Sequence, residues 1–185
     1  MKTAALRDFF ITRDASEMAE AYRSIMDAAE TPAPIPENWE SVEFAYNRLF
    51  VGPKAVLAPP YASVYLDSEP QFMGASTMRA RQIYGMLGLT SPWKGSLPDD
   101  HLSLELDASI HLKAALNKND SEEMKALWHY FLIDHLGLWI PRFVERIRAG
   151  KSVPKAILFA ADQLMDWLRK EISTEVGRES KPINS

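Results

Sequence analysis

Apolar positions recur at three- and four-residue spacing along most of this chain, the pattern of amphipathic helices. Residues 3–12 carry Leu6, Phe9 and Phe10 at that spacing, and residues 14–29 carry Met18, Tyr22, Ile25 and Met26, so two short helices are expected. Thr31-Pro32-Ala33-Pro34-Ile35-Pro36 ends the run, because alternate prolines supply no N–H and cannot continue a helix. A further helix is expected from about Asn38, bearing Trp39, Val42, Phe44, Tyr46, Leu49 and Phe50, with Gly52-Pro53 as its stop. Between residues 53 and 72, four prolines surround the run Tyr61-Ala62-Ser63-Val64-Tyr65-Leu66. The run has a strand's composition but no partner strand elsewhere, so an ordered, extended loop is expected. Its aromatics are costly to leave in water. They either pin the loop into the core or line a groove.

Ser76 or Thr77 is expected to open a helix through Met78, Ile83, Met86 and Leu87, closed by Gly88. Residues 89–99, with Pro92, Gly95 and Pro98, have the composition of a hinge between two halves. From about Asp100 to Leu116, the rows Leu102/Leu106/Ile110 and Leu104/Ala108/Leu112 predict a helix buried on more than one side. Asp120 and Glu123 have capping-box spacing ahead of a helix with Leu127, Trp128, Phe131 and Leu132. Pro141, just beyond Trp139, is expected to kink or restart the helix that continues to Arg148. Ser152 and Pro154 start a last long helix with Ile157, Leu158, Leu164, Met165 and Leu168, and the polar tail from Ser173 is expected to fray. The fold class is all-α. With no internal repeat, residues 1–185 read as one domain.

Composition narrows the function classes. The 185 residues are enough to bury a core without staples. Cysteine is absent, which removes disulfides, thiolate metal sites and cysteine nucleophiles. No stretch approaches about 18 uninterrupted apolar residues, and Lys2, Arg7 and Asp8 break the first segment too early for a secretory leader. A cytoplasmic protein is the expectation. A net charge of −4 argues against a nucleic-acid partner. Residues 96–140 hold eight acidic and three basic side chains, which points either to a basic partner or to an ordinary solvated helix surface.

Candidate chemistry centres on His101, His111, His129 and His135, two of which follow an aspartate in Asp100-His101 and Asp134-His135. A metal reading would add Glu105, one helical turn from His101. Metal phosphohydrolases of the HD type order the pair as His then Asp, the reverse of this chain, and no His-Glu-x-x-His occurs. Against a site role, His135 sits between Phe131 and Trp139 as a core histidine would, and His101 suits a helix start capped by Asp99 or Asp100. There is no nucleophile elbow, no P-loop and no Gly-x-Gly-x-x-Gly. A metal- or nucleotide-dependent hydrolase using His101, Glu105, Asp134 and His135 stands as one alternative, and a general helical adaptor as another.

Several blocks resemble a known family. Phe44-Ala45-Tyr46-Asn47-Arg48-Leu49-Phe50-Val51-Gly52-Pro53, then Pro60-Tyr61-Ala62-Ser63-Val64-Tyr65-Leu66-Asp67, resemble the TorD/DmsD group of redox-enzyme maturation chaperones, and the DmsD branch most. Gly74-Ala75-Ser76-Thr77-Met78 with Arg81, Pro98-Asp99-Asp100-His101, and Phe131 through Trp139 with Phe143 agree with that group in the same order. The resemblance spans roughly residues 40–145. It implies an all-helical, cytoplasmic bundle of about ten helices that binds the twin-arginine signal peptide of a molybdenum-cofactor oxidoreductase precursor and holds it back from the twin-arginine translocase. It implies no catalysis and no resident cofactor, although guanine nucleotide is bound by some relatives. It also implies a monomer or a dimer swapped at the 89–99 hinge. The family's recognition segments map onto Tyr61, Ser63, Tyr65, Asp100 and His101. Charge complementarity adds Asp99, Asp100 and Glu105 as partners for the two arginines, and Leu49, Phe50, Tyr61, Tyr65 and Leu66 as the apolar border. Arg81, Asp134, His135 and Trp139, in the matching blocks, complete the candidate set. Leu97 replaces the family's glutamate before Pro-x-Asp-His, and Tyr61 stands where tryptophan is frequent.

Overall fold

Several helix starts in this chain fall where a side-chain acceptor meets free backbone N–H groups. In the computed structural model, residues 2–52, 56–69, 74–89 and 97–179 are described. Among them nine α-helices follow one another: α1 (Lys2–Phe9), α2 (Ala15–Ala28), α3 (Trp39–Tyr46), α4 (Ser63–Leu66), α5 (Ala75–Met86), α6 (Leu102–Lys118), α7 (Glu122–His129), α8 (Gly137–Ala149) and α9 (Lys155–Glu179). Asp14 caps α2 by accepting from the Ser16 and Glu17 amides, and Asn38 caps α3 by accepting from Ser41. Ser121, not Asp120, caps α7 through the Met124 amide at 3.3 Å, while Asp120 pairs with Lys125. The capping box expected one residue earlier is thereby corrected.

Two π-helical segments interrupt the α pattern. Asn47–Val51 continues α3, and Tyr130–Leu136 joins α7 to α8 into one helical rod. Phe131, His135, Trp139 and Phe143 are all buried, at strict four-residue spacing. On an α-helix each such step drifts by about 40°. The wider π turn offsets part of that drift and keeps the four rings on one side. Gly137 follows directly: a Cβ there would lie 3.1 Å from the Leu132 carbonyl oxygen, which caps the π turn through the Gly137 amide. α8 is not interrupted at Pro141, which lies inside it, and the π segment precedes it.

α1 packs against α2, α6 and α9, while α9 packs against α8, α2 and α3. Apolar side chains from α1 through α9 merge into one core. Edge-on aromatic contacts join its layers: Phe10 meets Phe50 at 5.9 Å and Phe143 at 5.7 Å, and Tyr46 meets Phe50 at 4.7 Å.

Other expectations shift. Phe44 lies on α3 but is 74% exposed. α5 starts at Ala75, its first turn capped from a distance by Asp67, which accepts from the Ser76 amide at 3.1 Å and hydroxyl at 2.6 Å. Gly88, at φ 66°, ends that helix as expected, letting the Leu89 amide reach the Tyr84 carbonyl at 2.8 Å. From Ser173 the chain is helical as far as the end of α9 at Glu179, and Glu175 is buried. The tail beyond residue 179 lies outside the described residues, as does most of the expected hinge, residues 90–96. The expected extended loop is partly helical, because Ser63–Leu66 forms the single turn α4.

Candidate functional site

The loop with Tyr61 and the first turn of α6 meet at an isolated antiparallel bridge between Tyr61 and His101. The Ala62 amide donates to the Asp100 carbonyl at 3.0 Å and the Leu102 amide to the Pro60 carbonyl at 2.9 Å. Pro59 and Pro60 have no N–H, so the pairing cannot spread into a ladder.

Asp100 is fully buried beneath this crossing. Its carboxylate accepts from the Ser63 amide at 2.8 Å and from the Thr77 hydroxyl at 2.7 Å. It therefore caps α4 and ties it to α5, instead of capping the helix it precedes. His101 does that: its Nδ1 accepts from the Ser103 amide at 3.2 Å. With Nδ1 as acceptor the ring is neutral and carries its proton on Nε2. Burial pushes its pKa down to about 3. Asp99 is also buried, ion-paired with Arg81 at 2.6 Å, while its carbonyl accepts from the Tyr84 hydroxyl at 2.6 Å.

A second buried carboxylate joins α6 to the long rod. Glu105, 0% exposed, takes His135 Nε2–H at 2.6 Å on one oxygen and Trp139 Nε1–H at 2.9 Å on the other. Burial raises the Glu105 carboxyl above its ordinary range. For His135, burial works downward, but the facing Glu105 charge and hydrogen bond outweigh it and hold the ring above its ordinary value. Trp139 stacks on Tyr65 with ring centres 5.7 Å apart. The Arg146 guanidinium lies 4.7 Å over the other ring system of that contact, Tyr65, and Arg142 donates to the Tyr65 carbonyl at 2.7 Å.

Above these supports opens a cleft of about 790 Å³. Phe10, Tyr46, Phe50, Val51, Val56, Pro59, Pro60, Tyr61, Val64, Leu97 and His101 line it. Its ionic side chains are Arg13 and Arg146, and no carboxylate lines it among the described residues. Arg13 is neutralised by Glu17 at 2.5 Å. Arg146 and Val64 also border a shallower depression of about 440 Å³ with Tyr65, Arg142 and Glu145.

Of the sequence-derived candidates, Phe50, Tyr61 and His101 reach the cleft, and Tyr65 borders the adjoining depression. Leu49, Ser63, Asp100, Glu105, His135 and Trp139 are buried behind the walls, Leu66 is half-buried, and Arg81 engages Asp99. Asp134 is exposed to solvent, beside the buried His135 in the sequence. The expected acidic rim is thus corrected: Asp99, Asp100 and Glu105 accept hydrogen bonds or pair inside the protein. The four-residue hydrolase constellation does not assemble either, and among the described residues no three His, Asp or Glu side chains converge on a metal position. Sequence reasoning missed Phe10, Arg13 and Arg146. The apolar pair Phe9-Phe10 was visible as a helix face, but nothing in its spacing set Phe10 apart as a cleft residue.

A family model described as "Nitrate reductase delta subunit" matches residues 11–145. A protein named Tat proofreading chaperone DmsD from Salmonella typhi is 34% identical over 106 residues, 57% of this chain and 48% of its own length. A protein named Chaperone protein TorD from Psychrobacter sp. (strain PRwf-1) is 30% identical over 145 residues, 76% of this chain and 63% of its own. The match spans about half the length of the DmsD relative. A crystal structure described as a putative redox enzyme maturation protein from Archaeoglobus fulgidus shares the fold, with a TM-score of 0.58, 19% identity and 94% coverage of both chains.

Proposed function

The chain belongs to the nitrate reductase delta subunit family, and on that premise we propose that it is a maturation chaperone whose cleft binds the twin-arginine signal peptide of a molybdoenzyme precursor. One observation carries the reading: a large apolar cleft is built where the family-like loop crosses the Asp100-His101 segment. A signal peptide's apolar run matches such a lining, in the manner of an apolar helix docking in a groove. The neutral His101 ring, with its proton on Nε2, sits in that lining as a fixed donor for a peptide carbonyl. The peptide's arginines face away from the cleft, because the cleft's own charges are guanidinium groups.

In this reading the work is binding rather than catalysis, performed in the cytoplasm before export; among the described residues no helix is long and apolar enough to cross a membrane. Val64→Asp puts a charge in the cleft wall from a half-buried position. Titration of the full chain with leader peptides encoded beside molybdoenzyme genes should give saturable binding that Val64→Asp weakens about tenfold or more. Binding that survives Val64→Asp in a folded variant contradicts the assignment of the cleft. Failure to bind every such leader contradicts the chaperone reading.

A further inference from the structure

The two guanidinium groups of the cleft are not equivalent. Arg13 is held by Glu17 through both its Nε–H and its Nη2–H, so its charge is cancelled where it stands. Arg146 is exposed and pairs with no carboxylate among the described residues; its guanidinium lies over the Tyr65 ring. A ring face attracts the cation but cannot satisfy the five N–H donors of a guanidinium.

The surroundings of Arg146 add to the asymmetry. Arg146 and Val64 line both the cleft and the adjoining depression, so the two hollows are continuous there. Arg142, one helical turn earlier on α8, also borders the depression and donates to the Tyr65 carbonyl. Glu145 is the one carboxylate against these two arginines, and no ion pair joins it to either among the described residues. The uncancelled positive charge therefore lies where the cleft passes into the depression.

A helix lying in such a track has two unlike ends. Its first turn carries free N–H groups and a positive partial charge, its last turn free carbonyls and a negative one. A leader sharpens the contrast, because its basic residues precede its apolar run. With no carboxylate in the lining among the described residues, the amino end finds no opposite charge in the cleft, whereas Arg146 suits the carboxyl end.

On the leader-binding reading, we propose that Arg146 sets the direction of the bound leader. The apolar run lies in the cleft as a helix with its carboxyl-terminal turn at Arg146, whose guanidinium donates to the free carbonyls there. The leader's arginines lie beyond the opposite end of the lining. A leader with an acidic residue directly after its apolar run is therefore preferred to one with a lysine there.

The test uses the full chain and a synthetic twin-arginine leader, amidated at its C-terminus and extended past its apolar run. In one set of peptides the residue directly after the run is Gln, Glu or Lys; in a second set the same three replace the residue directly before it. Titration calorimetry should show the Glu form of the first set binding about five- to tenfold more tightly than the Lys form. Arg146→Gln should flatten that ratio and Arg146→Glu should invert it, both at an exposed position where the fold is retained. The second set should be indifferent to residue 146. A first-set ratio that stays the same in both variants overturns the proposal, and so does a dependence on residue 146 confined to the second set, which means the opposite direction. If the Gln forms bind and neither set responds to residue 146, the leader-binding reading stands and only the direction falls. If no form binds, both fall.

Discussion

The buried crossing beneath the cleft and the cleft itself carry opposite charges, and the acidic member is the inner one. Asp100 and Glu105 are held inside by an amide, a hydroxyl, an imidazole and an indole, whereas Arg146 stands at the cleft's edge over the Tyr65 ring. The net charge of a segment therefore says little about the sign of the surface it builds. Carboxylates accept from helix N-termini and buried donors, so the same residues that suggest an acidic rim act as cross-links between α4, α5, α6 and α8. Binding and scaffolding are divided between the two layers: apolar walls outside, hydrogen-bonded acids within.

That division breaks most visibly at Glu105. Glu105→Gln turns one accepting oxygen into a donor facing His135 or Trp139 and leaves a buried ring unpaired. A loss of roughly 3–5 kcal/mol is expected in urea unfolding, and an unchanged midpoint would show that the pair holds nothing. Asp100→Ala orphans the Ser63 amide and the Thr77 hydroxyl and should lose roughly 2–4 kcal/mol, with Asp100→Asn milder because the Thr77 hydroxyl can turn to accept.

His101 gives a pH signature. Its folded pKa of about 3 lies below its ordinary 6.5, so the fold favours the neutral ring. The stability it contributes is fully present above pH 6.5 and is lost as pH falls toward 3, at up to about 1.4 kcal/mol per pH unit. His101→Asn keeps a capping acceptor and should flatten that part of the stability profile relative to the parent. Glu105 and His135, both raised, have the opposite sign: their contribution is present at low pH and fades as pH rises through their folded values. The smallest effect is expected at Arg81, whose side chain is 54% exposed; Arg81→Ala should cost less than about 1 kcal/mol, and less still at high salt.

Most of the helices were legible from spacing alone, since the rows of α6 and the stripe Phe131/His135/Trp139 are visible without a structure. The Asp-His segment and the loop block were legible as a place, and the cleft lies there. Their division of labour was not. Whether Asp100 faces water or α4 depends on an amide 37 residues away, and no local pattern encodes that distance. The π turn was hidden for a related reason: a four-residue stripe is compatible with an α-helix until its burial over three steps is known. Phe10 and Arg146 lie 136 positions apart in the chain and line one cleft only once the core has packed.

The most direct measurement compares two altered leaders by titration calorimetry against the full chain. One has both arginines replaced by glutamine; the other keeps them and carries an aspartate in the middle of its apolar run. An oily cleft edged by guanidinium groups predicts that the first still binds within a few-fold of the parent leader, while the second loses at least about tenfold. If the arginine-free leader is the one that fails and the interrupted one binds normally, acids accessible to the peptide dominate recognition and this account is wrong.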